Sequence, residues 1–242
     1  AGAGLSWRPV TNLTLISSAS IPFGPGNNNF DSDLDFKRKP VFSIGLNYDI
    51  NPRIGLEGRV TNAFGATPST GILTIPSANE VGYYAGIKYT PNALDSPQRE
   101  LTNRERSLSI GGITVNTALI PPEGKTQVWA NIDNSQNKFL YLGHSISNAL
   151  QLEIINTGSF SNLAKKTGKK EEITNTYLEQ GGHQTRVGSK MIFLSPLRNS
   201  PFWAAARISA GRTKWLSGGQ GYLFTELITT WEPTKSIAIN LN

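Results

Sequence analysis

The chain has 242 residues, 38% hydrophobic and 17% charged, with 24 Gly, 14 Pro, one Met and no Cys. The missing cysteine excludes a disulfide scaffold and any thiolate metal site, and no apolar run approaches the roughly 18 residues of a membrane helix. The net charge of +6 raises nucleic-acid binding, but the basic residues are scattered, and small clusters such as Lys37-Arg38-Lys39 read as solvated loop charges, so no nucleic-acid partner is expected.

Helical periodicity is nearly absent, and alternation with a period of 2 replaces it. It predicts strands near 3–9, 12–20, 40–50, 53–62, 70–76, 80–90, 106–119, 125–132, 138–147, 149–159, 184–194, 201–211, 221–231 and 235–242, about fourteen in all. The pattern is plainest at 41–62. Phe42, Ile44, Leu46, Tyr48 and Ile50 share one face and Ser43, Gly45, Asn47 and Asp49 the other. After Asn51-Pro52 the pattern resumes, with Ile54, Leu56 and Val60 opposite Arg53, Gly55, Glu57, Arg59 and Thr61. Each half is about ten residues long, enough to cross a bilayer as a tilted strand. Charges of both signs on the polar face suit a wet lumen better than a dry core.

A phrase recurs at the tight turns: an aromatic residue, then apolar residues six and eight positions on. Trp7 leads to Leu13 and Leu15, Tyr48 to Ile54 and Leu56, and Trp231 to Ile237 and Ile239. His144 holds the aromatic slot before Leu150 and Leu152. Aromatics on the oily face just before a turn would lie at headgroup depth, so Trp7, Tyr48 and Trp231 are the interfacial candidates.

Short and long connections alternate if 70–76 is a strand, with long ones at 21–39, 63–69, 91–105, 160–183 and 212–220. Tyr89 then breaks the rule, because its turn-like phrase falls on the long side. Gly111-Gly112 marks a phase switch that a bulge would explain. Gly218-Gly219-Gln220-Gly221 reads as a flexible outer loop. Both termini fall on the long-loop side, unlike the usual barrel, and the chain lacks a terminal aromatic. The expectation is an excerpt, with more strands before Ala1 or after Asn242, and so part of a larger barrel.

No catalytic, cofactor or metal site is expected. His144 has no serine at an even offset nearby, and His183 follows Gly181-Gly182 in a polar loop. Asp31, Asp33 and Asp35 alternate as calcium ligands can, but the Gly and distal Glu of a calcium loop are missing. The functional candidates lie on the polar faces: Arg53, Glu57, Arg59, Lys88, Glu153, Arg186, Lys190, Arg207 and Glu226. If the sheet closes they line the lumen, and positives outnumber negatives six to three, a bias towards anions. The alternative is that they pair across strands and fill the interior.

Alternation, aromatic turn phrases and loop asymmetry over nearly the whole length resemble bacterial outer-membrane β-barrels. The hairpins 4–15 and 45–56 also resemble those of YjbH-like outer-membrane proteins. That resemblance implies an association with exopolysaccharide export, which makes polysaccharide one option for the solute.

The reading is all-β: one antiparallel up-and-down transmembrane barrel domain over 1–242 in the bacterial outer membrane. It passes or exports a hydrophilic, anionic or polysaccharide solute without catalysis, and its partners are outer-membrane lipid or lipopolysaccharide. The rivals are a soluble all-β protein that binds carbohydrate or builds a surface layer, and a barrel enzyme.

Overall fold

The computed structural model describes residues 2–23, 28–30, 36–63, 81–91, 116–133, 138–158, 183–215, 218–234 and 236–242. In chain order the strands are β1 (Gly2–Val10), β2 (Leu13–Ser20), β3 (Asn29–Phe30), β4 (Phe36–Lys37), β5 (Val41–Asp49), β6 (Ile54–Thr61) and β7 (Gly82–Tyr89). They continue with β8 (Thr126–Asp133), β9 (Lys138–Ser145), β10 (Leu150–Gly158), β11 (His183–Leu194), β12 (Trp203–Trp215), β13 (Gly218–Thr234) and β14 (Ile237–Leu241). β3 and β4 pair only with each other, and the other twelve close into an antiparallel barrel.

Closure is made by β1 and β14, with Leu5 opposite Ile239 and reciprocal backbone hydrogen bonds between Gly2 and Asn242. Traced strand by strand, the register returns to β1 displaced by about 14 residues, a shear that tilts twelve strands by roughly 40°. At that tilt the eight or nine residues of most strands rise about 20 Å, a little under the apolar band of about 25 Å that outer-membrane barrels present.

The turns carry their own chemistry. Asn51 Oδ1 accepts from the backbone N–H groups of Arg53 (2.8 Å) and Ile54 (2.9 Å), an Asx turn that reverses β5 into β6. Ser147 Oγ does the same for Ala149 and Leu150 between β9 and β10.

The wall inverts the order of a water-soluble protein. Ile44, Val187 and Leu227 point outward and are 62%, 57% and 63% exposed. Ser6, Ser43, Arg59, Glu153 and Arg207 point inward and are buried. Strand alternation turns that sequence pattern into two surfaces, an apolar outer wall and a polar interior.

Four expectations need correction. The barrel has twelve strands, not about fourteen, and they close on themselves without further strands. Of the strand expected at 106–119, residues 106–115 lie outside the described residues and 116–119 form no strand; 116–121 are irregular and run inside the barrel. The chain leaves β7 and enters β8 at the end of the short turns, because β7 pairs directly with β6 along its length, Ile54 opposite Tyr89 and Thr61 opposite Gly82. It leaves β6 and enters β7 at the opposite end, and the 70–76 strand falls outside the described residues. Residues 218–221 belong to β13 rather than to a loop, for the ladder with β12 runs up to Trp215 opposite Gly218. A Cβ at Gly219 would lie 2.4 Å from Arg212 Nε, so glycine lets this part of the hairpin approach closely. Gly111-Gly112 and Asp31, Asp33 and Asp35 lie outside the described residues.

Candidate functional site: the barrel lumen

Eight of the nine lumen candidates sit at inward strand positions, Arg53 lies in the turn before β6, and the eight sort into clusters on opposite walls. On β6 and β7, Glu57 and Arg59 form an ion pair two residues apart on one face. The Tyr84 hydroxyl donates to Glu57 Oε1 at 2.9 Å, and Arg59 Cζ lies 5.7 Å from the centre of the Tyr84 ring. Nearer the turns Lys88 Nζ reaches Asp49 Oδ1 at 3.1 Å. Arg53 is half-buried at the start of this wall.

The larger cluster spans β9 to β13. Arg207 lies between two carboxylates: Nη1 donates to Glu226 Oε2 at 2.9 Å and Nη2 to Glu153 Oε1 at 3.2 Å. Its Nε lies 2.8 Å from Glu153 Oε2, a close ionic contact without hydrogen-bond alignment. The Tyr141 hydroxyl adds a bond to Glu153 Oε1 at 3.0 Å, and Asn242 Nδ2 donates to Glu226 Oε1 at 2.6 Å. Arg186 lies over the Phe224 ring at 4.7 Å. These carboxylates are tolerated because each meets Arg207 together with hydroxyl or amide donors: Tyr141 for Glu153, and Asn242 and Asn116 for Glu226.

Residues 116–121 enter this half of the lumen from the short-turn end. Lys190 Nζ donates to the carbonyls of Thr117 and, at 2.7 Å, Leu119. Thr230 Oγ1 accepts from Ala118 N at 2.8 Å, and Asn116 Nδ2 donates to Glu226 Oε1 at 2.8 Å. Ala118, Leu119 and Ile120 are fully buried against Ile192, Trp203, Ala205 and Ile228. This hydrophobic cluster coincides with the inserted segment.

The interfacial candidates Trp7, Tyr48 and Trp231 all face outward at the short-turn end, each roughly half exposed. Tyr89 joins them, since β7 ends there, so its turn-like phrase conforms to the pattern it had seemed to break. His144 also faces outward, its Nδ1 2.9 Å from Thr126 Oγ1, away from the lumen.

Sequence reasoning missed Tyr84, Tyr141 and Asp49 as members of the ionic clusters. The signal was present, since all three alternate with outward apolar neighbours, but parity places a phenol without saying which carboxylate it meets. Tyr141→Phe is expected to lower stability by about 1.5–3 kcal/mol, the worth of a hydrogen bond to a charged group. The urea midpoint of detergent-folded protein checks this, and an unchanged midpoint would show that the bond contributes nothing.

Searches against protein-family models, curated proteins and solved structures each return no match, so the chain's function is argued from a closed twelve-stranded barrel with a polar, partly filled lumen.

Proposed function

We propose that this chain is a bacterial outer-membrane barrel that passes or exports a hydrophilic solute and performs no catalysis itself. The observation that carries the reading is the inverted polarity of the wall. An apolar outer surface running around the whole barrel far exceeds the few hundred Å² of contiguous apolar patch that monomeric soluble proteins tolerate. Lipid is the solvent that such a surface fits, and the outward aromatics at the short-turn end fit a headgroup boundary.

The lumen supports a charged or hydroxyl-rich solute. The six lumen cations face Glu57, Glu153 and Glu226, with Asp49 a fourth acid, so the interior keeps a positive excess that favours anions. The hairpin resemblance to exopolysaccharide-associated proteins adds polysaccharide to the candidates. Residues 116–121 fill part of the path at the short-turn end, so passage requires them to move.

Planar-bilayer recording tests the reading. Protein inserted from detergent is expected to give discrete openings, with a reversal potential in a KCl gradient on the chloride side. Preference for potassium would overturn the anion assignment. A chain that stays folded and monomeric without detergent or lipid would overturn the membrane assignment. Silence from inserted protein, even after residues 116–121 are excised, would overturn passage.

A further inference from the structure

On the wall formed by β10 to β13, three cations face two carboxylates. Glu153 and Glu226 are both bound by Arg207, and Lys190 is held by two backbone carbonyls. Arg186 is the cation left over. It is 5% exposed, and its Nε and Nη1 have no hydrogen-bond partner. The Phe224 ring centre lies 4.7 Å from its Cζ, a cation–π contact that supplies no oxygen or nitrogen acceptor to the N–H donors.

Two further unsatisfied groups lie beside it. Ser209 Oγ, on a residue 4% exposed, and the Tyr222 hydroxyl are both buried without partners. The register places them together: Arg186 is opposite Gly211, Gly211 is opposite Tyr222, and Ser209 is the preceding inward residue of β12. A Cβ at Gly211 would lie 2.6 Å from Tyr222 Oη and 2.7 Å from Arg186 Cβ. Glycine there lets the phenol and the arginine stem lie side by side against the wall. An excess buried cation with unused donors, next to two unused hydroxyls, is costly unless something satisfies it.

We propose that Arg186, Ser209 and Tyr222 form an oxyanion-binding site on the lumen wall, which takes a carboxylate or phosphate group of the solute. The planar guanidinium matches either group through paired N–H donors, and the two hydroxyls can donate to the remaining oxygen lone pairs. The assignment rests on the passage reading for its solute, but the binding chemistry is measurable by itself.

The test is isothermal titration calorimetry on detergent-folded protein at low salt, with sodium glucuronate, inorganic phosphate and neutral glucose as probes. At least one anion is expected to bind and glucose is not. Glucuronate alone would identify an acidic sugar, and phosphate alone a phosphorylated one. Arg186→Gln is expected to weaken anion binding at least tenfold, with Arg186→Lys between it and the parent. Should Arg186→Gln fail to fold by circular dichroism, the Ser209→Ala/Tyr222→Phe pair keeps the cation and is expected to weaken binding severalfold. No anion binding to the parent, or equal binding to these variants, overturns the site. Anion binding with bilayers that stay silent even after residues 116–121 are excised leaves the site standing and removes passage. Conductance without anion binding does the reverse.

Discussion

Arg207→Ala is expected to destabilise the barrel by about 3–5 kcal/mol, the usual cost of removing one partner from a buried ion pair. Arg207 is the only described side chain that bridges Glu153 and Glu226. Without it buried Glu153 and mostly covered Glu226 both lose their guanidinium partner. Lys190 cannot readily replace it, because its ammonium is tied to the carbonyls of Thr117 and Leu119. A partial rescue is expected from Arg207→Met combined with Glu153→Gln and Glu226→Gln, since removing the whole network also removes its desolvation cost. Urea unfolding of the protein in lipid vesicles, followed by tryptophan fluorescence, measures both. A loss below about 1 kcal/mol for the single variant would mean that water reaches the cluster and screens it as it does surface pairs.

The second large effect concerns residues 116–121. Excising them is expected to turn occasional openings into a steady conductance, because the segment fills the lumen between Lys190, Thr230 and the apolar cluster. Locking them in place is expected to do the opposite. Thr117 Oγ1 and Thr230 Oγ1 lie 3.3 Å apart, close enough for cysteines at both positions to approach disulfide geometry. The chain contains no other cysteine, so Thr117→Cys/Thr230→Cys can form only this intramolecular bridge. Oxidised, the double variant is expected to be silent in planar bilayers, and dithiothreitol is expected to restore the parental openings. Openings that survive verified oxidation would show that the solute path bypasses the segment, along the wall of small residues such as Gly4, Ser6, Ser43 and Gly45. That path would leave the segment as a structural filler.

Stability and passage pull against each other at this segment. Its backbone carbonyls occupy Lys190 and its side chains cover Ile192, Ala205 and Ile228. Withdrawal would expose that patch and leave a buried ammonium unsatisfied, so the closed arrangement is favoured. The polar contacts give it a way to re-form with water or with solute oxygens, which a wholly apolar plug would lack.

The strands and their faces were legible because both depend on a local rule. In 41–62 every outward residue has even parity up to the turn and keeps it beyond, and the register bears this out, with Tyr48 opposite Leu56 and Asn47 opposite Glu57. The eight lumen candidates that lie on strands therefore point inward. The failures share another cause. Residues 116–120 continue an apolar pattern that reads as strand, yet no neighbouring strand offers them a ladder, and Pro121-Pro122 lacks the backbone N–H groups to extend one. The imposed loop alternation also displaced the long connection, and only the β6–β7 register corrected it.

The sequence by itself determined that this chain builds antiparallel strands with an oily and a charged face, and that aromatics mark one end of them. Those properties follow from side-chain alternation and turn chemistry, which act over a few residues. Only the tertiary structure decided that twelve strands close, that β1 meets β14, and that 116–121 turn into the lumen. It also decided that Arg59, Lys88 and Arg207 reach carboxylates, that Lys190 reaches backbone carbonyls, and that the Nε and Nη1 of Arg186 are left without a partner. Such outcomes depend on register around the whole barrel and on charges from distant strands meeting inside it, and no local pattern encodes them.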